Sequence, residues 1–99
     1  MRVEFEGDDL HRLYTDADYH PKGVGQDLIK AFRKKVGLLA AATSDLELRQ
    51  FKALRLEKLK GDRAGLHSIR LNDLWRLILR FRSDQDGRVV VVIEIADYH

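Results

Sequence analysis

The sequence predicts an α+β domain, and three observations predict it. Apolar residues recur at steps of three or four from Ile29 to Leu39, the apolar period drops to two from Leu66 onward, and Asp86-Gly87 separates two alternating runs. The first is the pattern of a helix with one buried face, the second of strands, the third of a tight hairpin. A chain of 99 residues has room for one core. Residues 1–99 are therefore expected to form a single domain, with the N-terminal strand and helices packed on one face of an antiparallel sheet and the other face open.

Each element follows from local sequence. Val3 and Phe5 alternate with Arg2 and Glu4 and predict a short first strand; Gly7-Asp8-Asp9 offers a turn and a helix cap, and a first helix is expected from Asp8 towards Tyr14. Pro21, the only proline, restricts His20 and cannot continue a helix, so Tyr19-His20-Pro21-Lys22-Gly23 reads as a loop. After Gly25 a long helix should bury Ile29, Phe32, Val36 and Leu39, expose Lys30, Arg33, Lys34 and Lys35, and end in Ala40-Ala41-Ala42. Ser44 followed by Glu47 fits a capping box, opening a helix expected to turn Leu46, Phe51 and Leu54 to the core. Then come strands: His67, Ile69 and Leu71 share one face, and Trp75, Leu77, Leu79 and Phe81 share a face of the next strand after a turn at Asn72-Asp73. Val89 to Ile95 is apolar enough for a central strand.

Composition excludes several classes of function. With 44% hydrophobic and 34% charged residues the chain reads as an ordinary globular protein. It has no apolar run near the length of a membrane span, no apolar core of a signal peptide and no cysteine, so a cytoplasmic setting is expected and thiolate catalysis is excluded. His11 and His20 sit among acids without the spacing of metal ligands, and neither a metal nor another cofactor is expected. The net charge of +2 conceals an asymmetry: Arg49 to Arg82 holds ten Lys/Arg against Glu57, Asp62 and Asp73, a local balance of +7 that suits a polyanion.

Within that block, Arg76, Arg80 and Arg82 lie on the side of their strand opposite Trp75 and Leu77, which predicts a cationic platform. Lys58, Lys60 and Arg63 flank Gly61 in a loop where side chains and backbone can reach a phosphate. Beyond it, Asp97-Tyr98-His99 follows the final strand. A carboxylate, a phenol and an imidazole beside such cations suit metal-free RNA cleavage, which needs a base for the 2′-hydroxyl, an acid for the leaving oxygen and cations for the phosphorane. The neighbouring α-carboxylate should favour the charged form of His99. His67 shares a face with Ile69 and Leu71 and reads as a packing residue.

Leu59-Lys60-Gly61-Asp62-Arg63, Ser68-Ile69-Arg70, Asn72-Asp73 with Trp75-Arg76, and the closing Asp97-Tyr98-His99 occur in an order and spacing that resemble HigB-type toxins, the plasmid-maintenance killer proteins of the RelE/ParE superfamily. The resemblance runs over essentially the whole chain. It implies a RelE/ParE-like domain and a toxin that enters the ribosomal A site and cleaves mRNA there without a metal. It also implies inhibition by a HigA-type helix-turn-helix antitoxin, whose complex with the toxin represses its own operator DNA. Carried onto this sequence, Lys60 and Arg76 match positions that bind or stabilise phosphate, while Asp97, Tyr98 and His99 match the catalytic terminus, with His99 as general acid or base. Lys58, Arg63 and Arg80 are the further RNA-binding candidates. The chain departs from some relatives at Glu57, where they place a catalytic histidine three residues before the matched lysine; Glu57 can serve as a base but not as a cation. Two other readings stay open on the same fold, a gyrase inhibitor of the ParE kind and an inactive toxin kept as a co-repressor.

Overall fold

The computed structural model describes residues 1–97. In chain order it contains β1 (Arg2–Phe5), α1 (Asp8–Thr15), α2 (Gln26–Ala41), α3 (Asp45–Gln50), a 3-10 turn at Lys52–Leu54, β2 (Glu57–Lys58), a 3-10 turn at Gly61–Arg63, β3 (His67–Arg70), β4 (Trp75–Asp84) and β5 (Gly87–Asp97). The strands form one sheet in the order β1-β5-β4-β3-β2. Helices and sheet thus segregate as expected of an α+β domain.

The sheet is mixed. β2 to β5 pair antiparallel, but β1 runs parallel to β5, with Val3 beside Val90 and Phe5 beside Val92. Strands from opposite ends of the chain are free of hairpin geometry, and the helices between them provide the long connection that a parallel pair needs. β2 is also an addition to the predicted strands; at two residues it is too short to show alternation in sequence.

The helices cover one face. α2 buries Ile29, Phe32, Val36 and Leu39 against Leu77, Leu79, Val90 and Val92, all nearly inaccessible to solvent. Burying a side chain of this size is worth about 1.5–3 kcal/mol. Arg33, expected on the outer face, instead reaches sideways: its Nε donates to the carbonyl of Leu13 at 2.9 Å and one terminal nitrogen to those of Asp16 and Tyr19 at 3.0 and 3.3 Å. One guanidinium therefore ties the end of α1 and the following loop to α2.

At α3 the capping residue works as predicted, with Ser44 Oγ accepting from the Glu47 N–H at 3.2 Å. The Glu47 carboxylate closes on Thr43, one residue before the cap. The apolar assignment needs correction: Leu54 is buried, but Leu46 and Phe51 are 62% and 46% exposed, and Leu48 enters the core. A six-residue helix presents one narrow face. Leu46 stands two residues, a little over half a turn, from Leu48, and Phe51 ends the helix as the chain turns into its 3-10 segment.

The hairpin signals agree with the fold. Asn72 Oδ1 accepts from the N–H groups of Leu74 and Trp75, both at 2.9 Å, which closes the β3–β4 turn. Gly87 has φ 119°, a conformation that side chains rarely adopt, at the end of the β4–β5 turn. A β-bulge at Ile78/Leu79 lets Glu94 stand opposite Ile78 and Val92 opposite Leu79. His67 packs as expected: its ring meets Phe81 edge-on at 5.0 Å, while its buried Nδ1 has no hydrogen-bond partner among the described residues. Burial is the main cause, with Arg49 and Lys58 adding, that holds its pKa below the usual value.

Candidate active site

The face of the sheet away from the helices carries Arg2 and Glu4 of β1, Arg76, Arg80, Arg82 and Asp84 of β4, and Glu94 of β5. Three of these are the arginines expected to form a cationic platform, and the structure places them side by side. It also supplies their counter-charges: Arg82 pairs with Glu4 and Asp84, Arg80 with Glu6 at 3.7 Å, Arg2 with Asp84, and Arg63 with Glu94. A count from Arg49 to Arg82 misses this because the acids lie outside that stretch: Glu4 in β1, Glu6 just after it, Asp84 at the end of β4 and Glu94 in β5. The platform is an ion-pair lattice, not an excess of positive charge.

One end of this face is different. A cleft of about 400 Å³ lies between β2, the Gly61–Arg63 turn, β3, β4 and the last residues of β5, and Glu57, Arg63, Ser68, Arg76, Ile78 and Asp97 line it. Arg76 is its fixed point, 6% exposed in a strand where its neighbours are apolar. Its Nε donates to Ser68 Oγ at 2.7 Å, and a terminal nitrogen donates to the Arg55 carbonyl at 2.7 Å and to the Ser68 carbonyl at 3.4 Å. Buried and held by several acceptors, the guanidinium has its orientation set before any ligand arrives. Glu57, opposite Ser68 in the β2–β3 register, brings its half-exposed carboxylate to 3.7 Å from the same terminal nitrogen.

The candidate residues divide accordingly. Glu57, Arg63, Arg76 and Asp97 come together around the cleft. Lys60 precedes the Gly61–Arg63 turn, where Gly61 at φ 66° bends the backbone, and it stands exposed beside Leu59 of the cleft wall. Lys58 is opposite His67, so it points to the other side of the sheet from Glu57. Arg80 lies further along β4 with Glu6. Tyr98 and His99 lie outside the described residues. Ser68 enters the sequence reading only as part of the Ser68-Ile69-Arg70 motif, with no role of its own; its small hydroxyl gives none until Arg76 is seen to bond it. Among the described residues no cluster of His, Asp and Glu could hold a metal ion.

An ordered guanidinium, a carboxylate at ion-pair distance and a second carboxylate at the rim can receive a phosphodiester and accept a proton beside it. Over residues 3–99 the chain matches the family model described as HigB-like toxin, the RelE-like toxin of the type II toxin-antitoxin system HigB. The chain belongs to this family. It is therefore a toxin of a type II toxin-antitoxin system, and an antitoxin is its partner. It is 32% identical over 81 residues to Toxin HigB-1 of Vibrio cholerae, covering 82% of this chain and 84% of that one. It is likewise 30% identical over 84 residues to an uncharacterized protein of Haemophilus influenzae, covering 85% and 82% respectively. In fold the HigB-like chain is similar to a YoeB/ParE toxin from Agrobacterium tumefaciens (TM-score 0.57, 19% identity, 100% of both chains) and to YafQ from Escherichia coli (TM-score 0.61, 14% identity, 99% and 94%). These two likenesses concern architecture alone. No described helix is long and apolar enough to cross a membrane.

Proposed function

We propose that this HigB-like toxin is an endoribonuclease that cleaves mRNA in the ribosomal A site and so arrests translation in the cytoplasm until a HigA-type antitoxin binds it. The observation that carries the reading is the cleft in which a buried, pre-oriented Arg76 faces Glu57 at 3.7 Å with Asp97 at the rim. In the reaction, Glu57 accepts the proton of the 2′-hydroxyl as its oxygen attacks phosphorus. The bond from phosphorus to the 5′-oxygen breaks, His99 gives that oxygen a proton, and a 2′,3′-cyclic phosphate remains. Arg76 and Lys60 offset the added charge on the phosphorane, and a fixed donor such as Arg76 is worth about 2.7–4 kcal/mol in comparable sites. Asp97 orients His99, and Tyr98 stacks on the nucleotide. Arg63, now paired with Glu94, holds the entering strand.

Primer extension on a defined message in translating extract tests this, comparing the intact protein with a His99→Ala variant and with a variant lacking Asp97-Tyr98-His99. Cuts by the intact protein alone support the reading. Cleavage that survives both changes removes the terminal residues from the mechanism, and an intact protein that leaves messages uncut while stalling gyrase replaces the nuclease by an inhibitor of the ParE kind. Absence of growth arrest on expression without antitoxin would leave a co-repressor. The nuclease is favoured because Glu57, Arg76 and Asp97 converge, an arrangement a surface inhibitor has no chemical need of.

A further inference from the structure

Arg76 also lines a second cavity, of about 250 Å³, shared with Arg55, Arg70, Asn72 and Asp73, none of which lines the first. Three arginines around one small polar pocket are unusual in a face where positive charge is otherwise matched by acids. Arg55 is exposed, and among the described residues its guanidinium forms no ion pair. It is also the one described non-glycine residue in the left-handed region, at φ 48°. Such a backbone costs on the order of 1–3 kcal/mol and persists where its surroundings impose it. Arg55 caps the Lys52–Leu54 turn, its N–H donating to the Lys52 carbonyl at 3.1 Å, and its own carbonyl accepts from Arg76. Lys35 adds to the positive field: burial, together with Lys34 and Arg70, holds its ammonium below the usual pKa. Among the described residues the only carboxylate lining the pocket is that of Asp73, which pairs with Arg70 while remaining 89% exposed. It occupies Arg70 as an anion would and is free to swing away.

We propose that the Arg55–Arg70 pocket binds the phosphate next to the scissile one, with Asp73 as the anion it displaces, so that one RNA strand reaches both cavities that Arg76 lines. This rests on the nuclease reading above and extends it by a second subsite. Asn72 is engaged in closing the β3–β4 turn and serves as pocket wall.

The test uses the whole toxin and a fluorescent 2′-O-methyl oligoribonucleotide, which cannot be cut, with anisotropy measured over a salt series. Arg55→Gly removes the cation but suits the left-handed backbone, so thermal stability should hold or rise while affinity falls. Losing one phosphate contact on a single strand should make the slope of log K against log salt shallower by about 0.7. Asp73→Asn should tighten binding at low salt, a gain that a merely structural aspartate would not give. Wild-type affinity and slope in Arg55→Gly, or no gain in Asp73→Asn, would overturn the subsite, as would competition by polyglutamate as strong as by RNA of equal charge. If the wild type still cuts message in those cases, the nuclease stands and only the subsite falls; a wild type that neither binds nor cuts removes both.

Discussion

Replacing Arg76 by alanine should cost more stability than activity measurements alone reveal. In the folded chain its guanidinium satisfies Ser68 Oγ and the Arg55 carbonyl at 2.7 Å, and Ser68 is 1% exposed. Alanine leaves both acceptors without that donor, the Ser68 hydroxyl buried and the Arg55 carbonyl partly so, at about 1–3 kcal/mol each, so a loss of roughly 2–6 kcal/mol follows. A domain of this size holds about 5–15 kcal/mol in total, and each kcal/mol moves the melting temperature by about 4–8 °C. Calorimetry or thermal circular dichroism should therefore show Arg76→Ala melting at least about 8 °C below the wild type. Arg76→Lys keeps the charge but cannot reach both acceptors from one nitrogen at the same geometry, and should fall between. A melting point for Arg76→Ala within about 4 °C of wild type would refute the claim that this arginine organises the cleft. The same measurement decides how a non-toxic Arg76 variant is read, since loss of fold and loss of phosphate binding both silence the protein.

Glu57→Gln should lower single-turnover cleavage by on the order of a hundredfold or more if the carboxylate is the base, with little change in melting because the pair it makes with Arg76 is half in solvent; cleavage within a few-fold of wild type would remove Glu57 from proton transfer. His67, whose pKa burial depresses, binds its proton more readily unfolded than folded, so it lowers stability as pH falls below about 6.5. His67→Phe should accordingly flatten the melting-temperature profile between pH 7.5 and pH 5, and an unchanged slope would show that another group sets it. Asp45, held below the usual carboxylate range by hydrogen bonds from Arg88, contributes stability above its unfolded pKa that disappears as pH falls through the lower folded value. Arg88→Gln should then cost more stability at neutral pH than in acid, as acid titrations monitored by circular dichroism can show. Arg33→Met, which keeps the aliphatic stem but frees the carbonyls of Leu13, Asp16, Ala17 and Tyr19, should speed amide exchange at Asp16–Tyr19 selectively; uniform acceleration over the sheet would contradict the local role.

Much of this architecture is written in short-range patterns. The β4–β5 hairpin is legible because Asp86-Gly87 separates two alternating runs, and α2 because four apolar residues repeat at helical spacing over its whole length. What escaped is long-range. Two residues, Glu57 and Lys58, pair with Ser68 and His67 only because β3 offers them an edge, and no alternation can be read from two positions. The acids that neutralise Arg80 and Arg82 are Glu4 and Glu6, at and after β1, and Asp84 at the end of β4, so charge counted from Arg49 to Arg82 overstated the field of the open face. At the site, alternation placed Arg76 on the correct side of its strand but could not show that Ser68 and the Arg55 carbonyl would enclose it. Leu46 and Phe51 failed because a brief helix has no second buried face.

The pairing of β1 with β5 has a bearing on how the protein comes into being. β5 lies between β1 and β4, so the sheet has no continuous middle until its last strand has been made. A nascent chain that has emerged only as far as Asp84 carries two bare edges, those of β1 and β4, and an uncovered α2. Contacts as distant in sequence as Arg2 with Val89 form late, since closing so long a loop is entropically unfavourable until many contacts form together. The cleft, which needs Ala96 and Asp97 for one wall, assembles in that same closing event. Pairing of β5 thus completes the sheet and one wall of the cleft in a single step, and a chain folded only through β4 has neither.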